Sequence, residues 1–217
     1  DPLKAEPGVA LNFIRKGDAF PEDVDMVVLP GSKSTISDLI ELRENGWEEP
    51  ILQFAQRGGP VIGICGGYQI LGKIIRDPKG LEGDVTEING LGLLDAETEL
   101  RPEKKVSNFE THSLEFGCEL NGYEIHMGYT DGPDCARPMV GMDGRLDGAV
   151  SPEGNVRGCY LHGLFGSDIF RKRLLKQSGF EAQNNVSYAA TVEQALDELA
   201  EKLEEYLDID GLLAVAG

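Results

Sequence analysis

With 217 residues, 41% hydrophobic and 27% charged, the chain has the composition of one fairly large globular domain, which excludes wholesale disorder and collagen-like repeats. Thirty-eight acids against 20 bases give a formal charge of −18, a field that repels phosphate backbones and anionic lipid and argues against nucleic-acid or membrane partners. In chain order, Ala10–Ile14 reads as a short strand and Asp25–Leu29 as a buried one closed by Pro30-Gly31. Thr35 with Asp38 three residues on resembles a capping signature for a helix carrying Ile36, Leu39 and Ile40 on one face. Ile51, Leu52 and Ala55 predict another helix before Gly58-Gly59-Pro60, and Val61–Ile64 a buried strand. Ile70, Leu71, Ile74 and Ile75 give the apolar face of a helix expected to halt at Asp77-Pro78. Strand and helix in alternation predict a parallel sheet with right-handed crossovers.

From Gly90 to about Tyr160 the pattern turns antiparallel. Leu91–Leu94, Val106–Phe116, Tyr123–His126 and Val156–Leu161 read as strands, with Asn121-Gly122, Asp131-Gly132, Asp143-Gly144 and Asp147-Gly148 as turns. Two helices are expected to close the chain, one from Ser167 to Gly179, the other capped by Thr191 and Gln194 with Val192, Leu196, Leu199 and Leu203 on one face. The N-terminus lacks a basic-then-apolar signal, and no apolar run approaches the roughly 18 residues of a membrane span. The four cysteines show no CxxC spacing, so a reducing cytoplasm is the expected compartment.

The chemistry concentrates at Gly63-Ile64-Cys65-Gly66-Gly67. A glycine-flanked cysteine between a buried strand and a helix has the form of a nucleophile elbow: the turn is tight, the nucleophile sits strained at its apex, and side chains beside it would collide. The free N–H groups of a helix start favour a thiolate and a developing oxyanion. A structural reading, a glycine-rich turn around an inert buried cysteine, competes with it. A thiol nucleophile needs a base to take its proton and return it to a leaving amine. Of the three histidines, His162 directly follows a predicted strand, where parallel-sheet folds place their ligand-facing loops. His126 ends another strand, and His112 stands in a polar, turn-rich stretch. Gly67–Lys73 has the outline of a P-loop but carries Ile74 where a metal-binding Ser or Thr belongs. Asp143–Gly148 is too irregular for a calcium loop. No His, Cys or carboxylate pair has zinc spacing, so no metal is expected.

Gly63-Ile-Cys-Gly-Gly-Tyr-Gln-Ile-Leu-Gly72 closely resembles the nucleophile segment of class I (triad) glutamine amidotransferases of the CobB/CobQ-like group. Leu29–Leu39, Gly90–Asp95, Gly122–Gly128 and Tyr160–Gly163 resemble one family within it, cobyric acid synthase, in order along essentially the whole chain. The resemblance implies an α/β fold of the class I amidotransferase, flavodoxin-like kind: a parallel sheet flanked by helices, with an antiparallel elaboration. It implies that residues 1–217 form a C-terminal glutaminase domain, cut from an N-terminal ATP-dependent synthetase domain and lacking its own first strand. ATP and Mg²⁺ would then belong to the absent part, and no cofactor to this one. The implied reaction is hydrolysis of glutamine, its ammonia going to the carboxylate side chains of adenosylcobyrinic acid a,c-diamide.

By the same resemblance Cys65 attacks the glutamine amide and His162 serves as base and acid. Gly66 and the Gly31-Ser32 turn supply oxyanion N–H groups, and Gln69 contacts glutamine. Lys104 falls near a position that binds substrate in a relative acting on a cell-wall precursor. Many class I enzymes carry His-x-Glu, whereas here Leu164 stands at that position. The third member of the catalytic group is therefore open, with Glu124 and His126 as candidates. Two alternatives share the scaffold: the glutaminase subunit of a lipid II amidating enzyme, and a non-catalytic amidotransferase-like docking domain.

Overall fold

The computed structural model describes residues 1–142, 144–181 and 187–216, together with all of their side chains except those of 104, 105, 109, 142 and 216. Its centre is a four-stranded sheet in the order β1 (Val27–Leu29), β2 (Val61–Ile64), β10 (Val156–Cys159), β9 (Ala149–Val150). The first three strands run parallel and β9 pairs antiparallel at the edge. Helices α1 (Thr35–Glu44) and α2 (Glu48–Gln56) connect β1 to β2, as the alternation predicts.

Consecutive residues of β2 serve different layers, as the two-residue period of a strand requires. Val61 joins Leu39, Leu42, Ile51, Phe54 and Leu71 beneath the helices. Ile62 joins Leu120, Val140, Leu161, Phe170 and Leu174 on the other side, where α4 (Asp168–Gln177) covers the sheet. Leu39, Leu71, Ile75, Leu94 and Leu161 are fully buried, each stabilising the fold by about 1.5–3 kcal/mol relative to exposure.

A second sheet follows the order β11 (Leu161–His162), β6 (Cys118–Asp131), β5 (Glu97–Ser113), β3 (Ile74–Arg76), β4 (Glu87–Asn89), with β7 (Val140–Met142) and β8 (Arg145–Asp147) attached to β5. The β5–β6 ribbon is the antiparallel elaboration expected from the turn-rich middle of the sequence. The chain leaves the first sheet at Cys159 and joins the second at Leu161, and this crossing brings His162 to the end of the parallel strands.

Several expected elements differ. Ala10–Ile14 forms no strand. The single helix expected through Ile75 is two elements: α3 covers only Gly66–Leu71, and Ile74–Arg76 is a strand. The break is Gly72, extended at φ −67°, ψ 177°; a Cβ on Gly90 would lie 2.1 Å from its carbonyl oxygen. The β-branched Ile74 and Ile75 then pair with both β4 and β5. Leu91–Leu94 is not a strand but a turn closing the end of α3: the N–H groups of Leu91, Gly92, Leu93 and Leu94 donate to the carbonyls of Ile70, Gly72 and Leu71.

Asn121-Gly122 lies inside β6, and the ribbon turns instead at Leu114–Gly117. Helix α1 begins after Ser34 with no side-chain cap, Asp38 accepting from the Ser32 hydroxyl instead. Helix α4 begins where the sequence reading places it, and Ser167 is its side-chain cap. Helix α5 (Tyr188–Tyr206) starts one turn earlier than expected, with Ser187 as its cap, so Thr191 falls within the first turn and its hydroxyl donates to the Ser187 carbonyl. A third closing helix, α6 (Ile209–Ala216), follows. Part of the Asp143-Gly144 turn lies outside the described residues.

Candidate active site

Cys65 sits where β2 gives way to α3, with φ +55° and ψ −111°. It is the single described residue other than glycine with positive φ, a conformation that costs on the order of 1–3 kcal/mol and persists only where its surroundings impose it. The surroundings are specific. The Cys65 N–H donates to the Cys159 carbonyl at 2.9 Å, the Gln69 N–H donates to the Cys65 carbonyl at 3.1 Å, and the Gly67 N–H donates to the Pro30 carbonyl at 3.0 Å. A Cβ on Gly67 would come within 2.0 Å of the Leu29 carbonyl oxygen, and one on Gly66 within 2.6 Å of the Ser32 Cβ. The glycines are there because the β1–α1 loop packs against the elbow with no room for side chains.

The same loop brings the two reactive side chains together. A Cβ on Gly31 would lie 3.6 Å from the Cys65 Cβ and 3.0 and 3.8 Å from Cε1 and Nε2 of His162. One point beside Gly31 therefore touches both Cys65 and the His162 imidazole. The Cys65 thiol donates to the Ile125 carbonyl at 3.5 Å, while His162 Nε2 is buried with no hydrogen-bond partner among the described residues. An unpartnered imidazole nitrogen beside a weakly held thiol is a pair in which a proton can move once a substrate orders it.

Electrostatics sets the resting state. Burial pushes the Cys65 thiol above its ordinary value, the Gly66 N–H draws it back in part, and the Glu124 and Asp147 carboxylates add to the rise. Burial, and then the charge of His126, hold His162 below the ordinary imidazole value. The sequence-based expectation of a helix-stabilised thiolate is thus outweighed by desolvation: α3 is short, and the resting pair is a neutral thiol beside a neutral imidazole.

Glu124 and His126 are both buried and hold each other, His126 Nε2 lying 2.6 Å from Glu124 Oε1, while Arg145 donates to the other carboxylate oxygen. Sheet pairing puts Tyr123, not Glu124, opposite His162. The His126 ring stacks on Tyr160 at 3.6 Å. Gln69 is buried beneath the elbow, donating to the Met127 carbonyl at 3.1 Å and the Tyr160 hydroxyl at 3.2 Å and accepting from the Thr35 hydroxyl at 2.8 Å. Its side chain ties α3 to β6, to the start of α1 and to Tyr160, the residue between β10 and β11. Lys104 lies on β5 opposite Met127, and its side chain is outside the described residues. Among the described residues no group of three or more His, Cys, Asp or Glu side chains could hold a metal ion.

Sequence reasoning missed Tyr123, whose ring lies against His162, and Arg145, which reaches Glu124 from a segment read only as a failed calcium loop. The signal for Tyr123 was present in the two-residue alternation of β6; assigning it to His162 needed the β6–β11 register.

A solved structure of a glutamine amidotransferase superposes with a TM-score of 0.55 at 20% identity, covering 73% of this chain and 82% of its own. The fold is that of the class I glutamine amidotransferases. Residues 1–170 match the CobB/CobQ-like glutamine amidotransferase domain family, and the chain belongs to that family. Among curated relatives, it is 54% identical over 216 residues to the cobyric acid synthase of Brucella canis and 52% identical over 217 residues to that of Rhizobium johnstonii. Both alignments take in the whole chain but only 44% of each relative, so the chain spans less than half their length.

Proposed function

We propose that this chain is the glutaminase part of a cobyric acid synthase, hydrolysing glutamine to supply ammonia for ATP-dependent amidation of adenosylcobyrinic acid a,c-diamide side chains elsewhere in the longer protein. The observation that carries the chemistry is the convergence of Cys65 and His162 on one point beside Gly31. His162 Nε2 takes the thiol proton as Sγ attacks the glutamine side-chain carbonyl carbon. The negative charge that forms on the carbonyl oxygen is met by the N–H groups of Gly66 and of the Gly31-Ser32 turn. Collapse expels the amide nitrogen, which takes the proton from His162 and leaves as ammonia. A γ-glutamyl thioester remains on Cys65. Water, deprotonated by His162, attacks the thioester; glutamate leaves and the proton returns to sulfur. A neutral thiol and imidazole at rest suit this sequence, since the proton transfers only as the carbon is attacked.

The corrin, ATP and Mg²⁺ belong in this reading to the remaining part of the protein. The high identity to the two synthases supports this acceptor over lipid II, and an intact elbow with its histidine supports catalysis over a docking role. Intact-mass labelling with a glutamine-mimicking diazoketone tests the glutaminase reading. One adduct is expected, suppressed by glutamine, absent in Cys65→Ser and slow to form in His162→Ala. An adduct that survives Cys65→Ser would refute the assignment.

A further inference from the structure

Helix α5 has no buried residue. It is nevertheless built for burial: Val192, Leu196, Leu199, Leu203 and Tyr206 recur at alternating spacings of four and three, which places them on one stripe. Ala195 and Ala200 widen that stripe, and the acids Asp197, Glu198, Glu201, Glu204 and Glu205 occupy the opposite side. Leu212, Leu213 and Val215 extend the exposed apolar surface along α6. A helix of this length, left bare in water, gains little from propensity alone and draws its stability from packing such a face.

Three observations bear on what covers it. The relatives are more than twice as long as this chain, which matches their C-terminal 44%. The Asp1 backbone nitrogen lies 3.4 Å from the Tyr188 hydroxyl in the first turn of α5, so residues preceding Asp1 in a longer polypeptide would emerge beside this helix. A second copy of the chain would bring another −18 charge against the first, with six acids along each α5. We infer that the apolar face of α5 and α6 is the docking surface for the preceding part of the same polypeptide. This rests on the reading of the chain as the C-terminal part of a larger synthase, and makes the two helices the structural joint between glutaminase and acceptor site.

The test uses the full-length polypeptide, with a photoreactive benzoylphenylalanine in place of Leu199 and, separately, in place of Glu201 on the acidic side. Illumination followed by peptide mass spectrometry is expected to join position 199 to residues preceding Asp1, and to lose that product when the probe moves to 201. Cross-links to residues 1–180, a product of doubled mass, or no difference between the two positions would each overturn the inference. Diazoketone labelling of Cys65 in the same preparations keeps the two readings separate. A cross-link without labelling would remove the glutaminase assignment and leave the joint standing. Labelling without the cross-link would do the reverse.

Discussion

Tyr123 lies flat against His162, their ring centroids 4.8 Å apart and their planes within 3°. The stack matters because Leu164 stands where many class I enzymes place the carboxylate that orients this imidazole. With Nε2 unpartnered among the described residues, the stack is one contact that fixes the plane in which His162 faces Cys65. Tyr123→Phe keeps the ring and is expected to keep activity. Tyr123→Ala removes a contact of about 0.5–1.5 kcal/mol, which corresponds to a loss of roughly two- to tenfold in glutaminase kcat. Since Tyr123 is about half exposed (46%), thermal stability should change little. Equal losses in both variants would refute the stacking role.

Gly31→Ala separates geometry from folding. The glycine is exposed and its φ is not in the left-handed region, so the backbone accepts alanine. Its methyl group would lie 3.0 Å from His162 Cε1 and 3.6 Å from the Cys65 Cβ, in the space between the two side chains. Labelling of Cys65 by the diazoketone should fall by tenfold or more, about 1.4 kcal/mol in the barrier, while the melting temperature stays near wild type. Wild-type labelling with an intact fold would show that the substrate does not pass this point.

Much of the site was legible because its chemistry is local. Gly63 through Gly67 carry the elbow in five consecutive residues, and each glycine answers to a measurable clash. The parallel strands β1 and β2 announced themselves as short apolar runs bounded by Pro and Gly. What stayed hidden depends on contacts between distant segments. Ile74 and Ile75 continue a helical period on paper, yet Gly90, far along the chain, closes against Gly72 and ends the helix there. The same holds for Arg145 at Glu124: a salt bridge between residues 21 apart leaves no trace in spacing. Ala10–Ile14 has the apolar pattern of a strand without any strand beside it to complete a ladder, and pattern alone does not form one.

The two pKa shifts give opposite limbs. In the proposed reaction His162 acts neutral, and burial together with His126 lowers its pKa, so the acid fall of kcat/KM should come below the roughly 6.5 of a free imidazole. Stability carries the matching sign. Below about pH 6.5 the unfolded chain binds a proton that folded His162 still refuses, so this residue lowers stability as pH drops through that window. Denaturant midpoints of wild type should therefore fall more between pH 7 and pH 5.5 than those of His162→Ala. An acid limb above pH 6.5 would contradict the lowered imidazole.

Cys65 and Glu124 make the sharpest sign test. Glu124 sits at 1% exposure between His126 and Arg145, and its charge contributes to the raised Cys65 pKa. Were this carboxylate the activating member of a triad, its removal should leave the thiol harder to ionise. The electrostatics imply the reverse. In Glu124→Gln the pH midpoint for iodoacetamide alkylation of Cys65 should move down, while in wild type reaction continues to climb beyond the ordinary thiol range. Stability should fall by about 1–3 kcal/mol, because the buried His126 and the half-exposed Arg145 lose a charged acceptor. Urea midpoints would register that cost separately from the alkylation profile. A midpoint that moves up would assign Glu124 an activating role, and a loss of a thousandfold or more in turnover with the fold intact would make it the third catalytic member.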